Sequence, residues 1–135
     1  MICAERTVTA RLLRPGEKIP DAMVHGIEWL GQLNEQWVWV AIDQGQIVGV
    51  LLAAPVHGIA LIMKLNMSPQ APKTALVPLL RRFLADAKRR HLKGYITWFD
   101  EKQYAERKLL KIAERAGATE QWSATIVAGR IPEGW

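Results

Sequence analysis

The feature of this sequence that most constrains its fold is a strand–loop–helix–strand unit between Gly58 and Gly94. An apolar strand is predicted over residues 59–67, a loop with two prolines follows, and a basic amphipathic helix is predicted over residues 75–91. Such a helix N-terminus is a common site for a phosphorylated ligand, because unpaired backbone N–H groups and the helix dipole converge there. No glycine lies between Gly58 and Gly94, so the residue type that usually lets phosphate approach the backbone is missing.

The helix over residues 75–91 is well defined by its apolar spacing, whereas its basic residues fall on the rest of its circumference. Pro78 is tolerated only in the first helical turn, so the helix is predicted to begin between Thr74 and Val77. The predicted buried face consists of Leu76, Leu80, Phe83, Leu84 and Ala87.

The strands before this helix predict an antiparallel meander. Residues 36–43 form a strand with two apolar faces, carrying Trp37, Trp39 and Ala41 on one and Val38, Val40 and Ile42 on the other. Such a strand is usually buried on both sides. A tight turn over 44–46 leads into a strand over 47–54, and a turn over 55–58 leads into the strand over 59–67.

The remaining elements complete a single domain over residues 1–135. They are a strand over 7–13, a helix with Asp21 as its N-cap, a strand over 94–99, a helix over about 101–116 and a strand over 119–128. The predicted order is β-α-β-β-β-α-β-α-β. The fold class is therefore α/β (α+β), with a mixed, mostly antiparallel sheet between helices and a parallel-paired strand after the crossover.

Composition narrows the classes of protein. The single cysteine, Cys3, has no partner for an intramolecular disulfide, which favours a reducing compartment. We find no leader sequence and no uncharged apolar stretch long enough to cross a bilayer, so we expect a cytoplasmic protein without a membrane partner. Three histidines and one cysteine at wide spacing indicate no metal site.

The positive charge of the chain favours polyanionic partners in general. The formal net charge is +5 and the sequence pI is near 9.7. The cationic cluster over residues 88–93 can contact nucleic-acid phosphates, but it lies at a helix C-terminus, where cations are favoured in any case. The sequence therefore favours a solvated helix face there and argues against a nucleic-acid partner.

The element order and four short segments resemble the GNAT superfamily of acetyltransferases, which transfer an acetyl group from acetyl-CoA to an amine. Residues 44–49 (QGQIVG) are similar to the family's turn between its second and third strands, and residues 65–69 (LNMSP) to the end of its fourth strand. The basic helix with residues 94–99 is similar to its third helix and fifth strand. Residues 109–117 are similar to the end of its fourth helix.

The resemblance implies a cleft between the fourth and fifth strands, in which acetyl-CoA acts as the co-substrate. The pantetheine arm would lie along the backbone edge of Leu65, Asn66 and Met67. The pyrophosphate would meet the following loop and helix start, whose implied ligands are Gln70, Lys73, Thr74, Ala75 and Leu76.

The loop departs from the family's pattern of Arg or Gln, two residues, Gly, one residue, and Gly or Ala. Residues 70–75 match the first and last positions but place Lys73 at the glycine, and Pro72 deletes one backbone donor. The ammonium of Lys73 can partly offset this loss by pairing with a phosphate. The backbone amides of Lys73, Thr74, Ala75 and Leu76 are expected to be available.

The resemblance leaves the catalytic residues unassigned. Counting back from Gly117, Ala113 stands where many members have a tyrosine that protonates the departing thiolate, and Tyr104 lies too far away in the sequence to be equated with it. His25 and Glu28 share a helix face and can bind or deprotonate an amine, or form a simple exposed pair. Asp100 and Glu101 suit either a site at a strand end or the start of the next helix.

Two hypotheses of different class follow. The first is a small GNAT-like N-acetyltransferase with an unknown amine acceptor. The second is a catalytically silent module of the same fold within a larger assembly, since a fold does not determine a function. An unfinished sheet edge at residues 119–128 would allow a homodimer or larger assembly in either case.

Overall fold

The computed structural model describes residues 7–23, 35–97 and 111 of the 135-residue chain. Within these residues lie five strands and one α-helix, with short 3-10 turns at Asp21–Met23 and Glu35–Trp37. The elements are β1 (Thr9–Leu12), β2 (Val38–Asp43), β3 (Gln46–Val56), β4 (Ile59–Met67), α1 (Leu76–Arg89) and β5 (Tyr95–Thr97).

The strands form one mixed sheet in the order β1-β2-β3-β4-β5. Each of the first four strands is antiparallel to its neighbour, whereas β5 is parallel to β4. The predicted meander and the predicted parallel crossover are both confirmed. The two hairpin turns carry positive φ at Gln44, Gly45, His57 and Gly58, a backbone that matches the twist of the flanking strands.

Each face of the sheet has its own apolar core. The first contains Trp39, Ala41, Leu51 and Ala53 from the sheet and is covered by α1. The second contains Val38, Val40, Val50 and Leu52, and the segment after β1 covers it with Leu13, Ile19 and Met23. The prediction that the strand around Trp39 is buried on both sides is therefore confirmed.

Helix α1 begins at Leu76, within the predicted limits, and Pro78 lies in its first turn. The predicted apolar face packs on the sheet, with Leu76, Leu80, Phe83 and Ala87 buried and Leu84 partly buried. Two further residues, Leu79 and Asp86, are also buried. Asp86 does not follow from an apolar pattern, because it is a carboxylate that bonds to the sheet below.

The predicted turn over residues 55–58 is wrong at its start, since β3 continues through Pro55 and Val56. Pro55 lies opposite Ala60, whose N–H donates instead to Gly94 O at 2.9 Å. The backbone nitrogen of Pro55 therefore points away from β4. On its other side, the pairing of β3 with β2 has already ended at Leu52, so β2 needs no donor from Pro55. No ladder bond is lost at this proline, which is where a strand tolerates one.

Several predicted elements lie outside the described residues. They are the continuation of the helix beyond Met23, the end of the strand at 94–99, the helix over about 101–116 and the strand over 119–128. In the described part of the chain, no helix is both long and apolar enough to cross a membrane.

Candidate functional site

The candidate site begins at a β-bulge in β4. Lys64 pairs with Leu52 and Ile62 pairs with Ala53, so Met63 is an extra residue on β4. The described part of the parallel partner β5, which ends at Thr97, pairs with β4 from Ala60 to Ile62. Among the described residues, no strand pairs with that same edge of β4 after the bulge.

The bulge also changes which side chains of β4 face α1. Before it, Ala60 and Ile62 lie in the core under α1, and after it Leu65 and Met67 pack there instead. The side chain of Asn66 lies on the opposite face and donates from Nδ2 to Met23 O at 2.6 Å. Of the three predicted edge residues, Leu65 and Met67 thus face the helix, and Asn66 fastens β4 to the segment after β1.

Ser68 organises the loop that leaves β4. Its N–H donates to Val48 O at 2.8 Å, and its carbonyl oxygen accepts from Ala71 N–H at 3.0 Å. Its hydroxyl accepts from Gln70 N–H at 3.2 Å and donates to Gln70 Oε1 at 3.0 Å. The backbone donor and the side chain of Gln70 are therefore both engaged within the loop.

In the sequence, Ser68 stands out only as part of the segment that resembles the end of the family's fourth strand. The signal that could have identified its role is the pair Ser68-Pro69, because serine hydroxyls bond to backbone groups two residues on and proline favours the following turn position.

The start of α1 presents unpaired backbone donors. Ala75 N–H donates to Pro72 O at 3.0 Å, so the expectation that this amide would be available does not hold. The amides of Thr74, Leu76 and Val77 have no hydrogen-bond partner in residues 7–23 and 35–97. The N-cap residue is Ala75, which offers no side-chain cap. An uncapped helix start is where an anion is best accommodated.

The end of β4 and the start of α1 border the same apolar core. Ala75 and Leu76 are buried in the core under α1, and Leu65, Met67 and Ala71 pack against that same cluster. Lys73 and Thr74 are exposed, and Lys73 carries the only charge between Met67 and Arg81. The predicted residues Leu65, Met67, Ala75 and Leu76 therefore share one core, whereas the side chain of Asn66 lies on the other face of the sheet.

This arrangement of strands and helix is shared with solved structures but not with proteins matched by sequence. No protein-family model matches the chain, and neither does any curated protein sequence. Solved structures do. An aminoglycoside acetyltransferase from an uncultured soil metagenomic sample matches with a TM-score of 0.65 at 12% identity, over 92% of this chain and 99% of that chain. The chain has the GNAT fold.

Two further GNAT structures are similar over most of this chain. The ribosomal-protein-S18-alanine N-acetyltransferase of Escherichia coli has a TM-score of 0.63 at 13% identity, covering 82% of this chain and 77% of its own. A GNAT family acetyltransferase of Elizabethkingia anophelis with acetyl-CoA bound has a TM-score of 0.63 at 15% identity, covering 82% and 74%. Identities this low support the shared fold and not a shared activity.

Several candidate residues of this GNAT fold lie outside the described residues. These are His25, Glu28, Asp100, Glu101, Tyr104 and Ala113. Within the part of the chain that the structure describes, no three His, Cys, Asp or Glu side chains gather as a metal site would require.

Proposed function

We propose that this chain is a small N-acetyltransferase that uses acetyl-CoA as its acetyl donor and an amine as its acceptor. The observation that carries the proposal is that two backbone surfaces border the same apolar core. One is the edge of β4 after the bulge, and the other is the uncapped start of α1.

Each surface suits one part of the cofactor. The amide groups of a pantetheine arm can pair with the strand edge at Leu65 and Met67 in the manner of an added strand. The diphosphate can accept hydrogen bonds from the amides of Thr74, Leu76 and Val77, where the helix dipole favours negative charge. Lys73 is exposed at the same turn and adds a cation for the phosphates.

The chemistry of the proposal is an acyl transfer. The deprotonated acceptor nitrogen attacks the thioester carbonyl carbon, the new C–N bond forms, and the C–S bond breaks. The amine proton leaves through a base or a water chain, and the departing thiolate takes up a proton. Holding the thioester and the amine together supplies much of the rate enhancement without covalent help from the protein.

Support for an amine acceptor comes from the names of the structural neighbours. One is an aminoglycoside acetyltransferase and another is a ribosomal-protein-S18-alanine N-acetyltransferase. We further propose that residues 1–135 act as one cytoplasmic domain, and that residues 119–128 provide the edge for a homodimer or larger assembly.

A second function is a silent GNAT module that binds partners without catalysis. The observation in its favour is the crowded helix entry, where Pro72 has no N–H, the Ala75 amide is already used and Lys73 replaces a glycine. Under this alternative the protein does not bind acetyl-CoA.

Calorimetric titration with acetyl-CoA distinguishes the two functions. We expect saturable 1:1 binding of acetyl-CoA and much weaker binding of pantetheine, which lacks the diphosphate. Lys73→Gln should weaken acetyl-CoA binding about five-fold, roughly 1 kcal/mol, while the matched control Lys18→Gln should not. Absence of heat at millimolar acetyl-CoA would rule out the transferase and leave the silent module.

A further inference from the structure

The positive charge of the chain is concentrated in one segment. Residues 76–97 contain six Lys or Arg and one acidic residue, Asp86, so they carry a net charge of +5. This equals the net charge of the whole chain, so the other residues balance to zero. Charge concentrated in this way produces a positive electrostatic potential at one part of the surface, whereas the rest of the surface is close to neutral overall.

Most of this charge reaches solvent at the C-terminal end of α1. Lys88, Arg89, His91 and Lys93 are exposed, and we call them, together with Arg90, the basic surface. Asp86 is buried, bonds to Trp39 Nε1 and pairs with Arg82 and Arg89, so it offsets part of the charge of Arg89. Among the described residues no carboxylate pairs with Lys88 or Lys93. The helix dipole, about half a charge, accounts for only a fraction of this excess.

The backbone holds the basic surface in place. Leu92 N–H donates to Ala87 O at 3.0 Å and His91 N–H to Lys88 O at 3.1 Å, which closes the end of α1 as a Schellman motif. His91 supplies the left-handed residue of that motif, with φ of 61°. Lys93 N–H then donates to Gly58 O at 2.8 Å. The cations therefore extend from fixed backbone positions.

Arg90 is held by the tryptophans of β2 and the turn before it. Its guanidinium lies 4.7 Å from the ring centroid of Trp37 and 5.2 Å from that of Trp39. Burial lowers the pKa of Arg90, and the neighbouring charge of Arg89 lowers it further. Two adjacent arginines repel each other at a cost that a bound polyanion would relieve.

We propose that the basic surface binds the phosphate backbone of nucleic acid without reading its sequence. The only apolar residue between Lys88 and Lys93 is Leu92, which packs into the core, so the surface lacks the apolar anchor that protein partners usually need. A row of phosphates matches several neighbouring cations. The surface lies at the opposite end of α1 from the candidate acetyl-CoA site, about 20 Å away along a 14-residue helix.

Sequence reasoning argued against nucleic acid because helix C-termini favour cations. The structure changes that balance, since the one acidic group of the segment is buried against Arg82 and Arg89 and does not reach Lys88 or Lys93. The backbone that carries these lysines is fixed by the helix end and the 57–58 turn.

Fluorescence anisotropy with a labelled single-stranded DNA oligonucleotide tests this inference. Two double variants remove the same charge, Lys88→Gln with Lys93→Gln in the basic surface and Arg14→Gln with Lys18→Gln elsewhere. Wild type should bind with a log–log salt slope of about −3 between about 50 and 200 mM salt. The first variant should flatten the slope by about 1.4, two contacts at about 0.7 each, and the second should leave it unchanged.

Four outcomes decide the matter, once circular dichroism has shown both variants to be folded. A loss confined to the variant of the basic surface, with oligonucleotide and acetyl-CoA bound together, supports the inference. Equal losses in both variants would mean that only overall charge matters. Displacement by poly-glutamate at equal charge concentration would point to an acidic protein, and no binding at low salt would exclude the site; each of these three overturns the inference.

Discussion

At the scale of single residues, one carboxylate fastens the segment that covers the second core. Glu17 accepts from both Nη atoms of Arg11 at 2.7 Å and from Arg14 N–H at 3.0 Å. The hydrogen bonds from Arg11 hold the pKa of Glu17 at about 2, well below its ordinary value of 4.5. The pair lies between Leu13 and Ile19, both buried, so it fixes the chain that leads to Met23 and to its bond with Asn66.

Glu17→Gln should therefore destabilise the protein in a pH-dependent way. The ionised pair contributes its full stabilisation above about pH 4.5 and loses it as the pH falls towards 2. The reason is that the carboxyl of the unfolded chain takes up a proton near pH 4.5, whereas the folded carboxylate does so only near pH 2. We expect a loss of about 1–2 kcal/mol at pH 7, since the pair is partly exposed, shrinking to little near pH 2.

Urea unfolding of both proteins at several pH values measures this difference. Asp21→Asn is the control, because its pair with Lys18 is exposed and 4.0 Å long, and it should change stability little at any pH. A Glu17→Gln effect that stays constant from pH 7 to pH 2 would show that the charge of Glu17 is not what stabilises the segment.

At the scale of elements, α1 is attached to the sheet by a polar bond inside an apolar core. Trp39 of β2 is fully buried, and its Nε1 donates to Asp86 Oδ2 at 2.8 Å. Its ring also meets Phe83 edge to face, with centroids 5.1 Å apart. The bond is directional, so it fixes the rotation of α1 about its axis and hence the direction in which the N–H groups of its first turn point.

A double-mutant cycle on this bond should show strong coupling. Asp86→Ala leaves the Trp39 N–H unpaired in the core and should cost about 2–4 kcal/mol. Trp39→Phe removes the donor, and the coupling free energy between the two changes should be about 1–2 kcal/mol. Arg81→Gln, exposed on the same helix, should change stability by less than about 0.5 kcal/mol. Additive effects of the first two changes would mean that the bond contributes nothing.

The sequence predicted the elements of the described part well because its apolar periodicity reports burial directly. Trp39 and Val40 are consecutive apolar residues that face opposite sides of a strand, which indicates that β2 is covered on both faces. The spacing of Leu80 and Phe83 indicates which side of α1 packs on the sheet. Periodicity carries no information on the bulge at Met63, which depends on the register between two strands. It also missed Asp86, whose burial depends on a partner 47 positions away.

At the scale of the whole molecule, helix α1 separates two surfaces that lie at its two ends. The start of α1 and the edge of β4 after the bulge form the candidate cofactor site, and the basic surface lies at the other end of α1. Resemblance to a family is the basis on which the sequence predicts the first site. It could not tell which amides are free, because the Ala75 bond to Pro72 O depends on the turn conformation of residues 72–75.

The most direct test of the account is an amide NMR titration with acetyl-CoA. The account predicts large, saturable shifts at the amides of Thr74, Leu76 and Val77, a smaller response at Ala75, whose donor is already bonded, and none at Arg89. Pantetheine should leave the first three unchanged because it brings no diphosphate. If those three amides stay in place while acetyl-CoA reaches millimolar concentration, the start of α1 does not hold a diphosphate and the proposed transferase is contradicted.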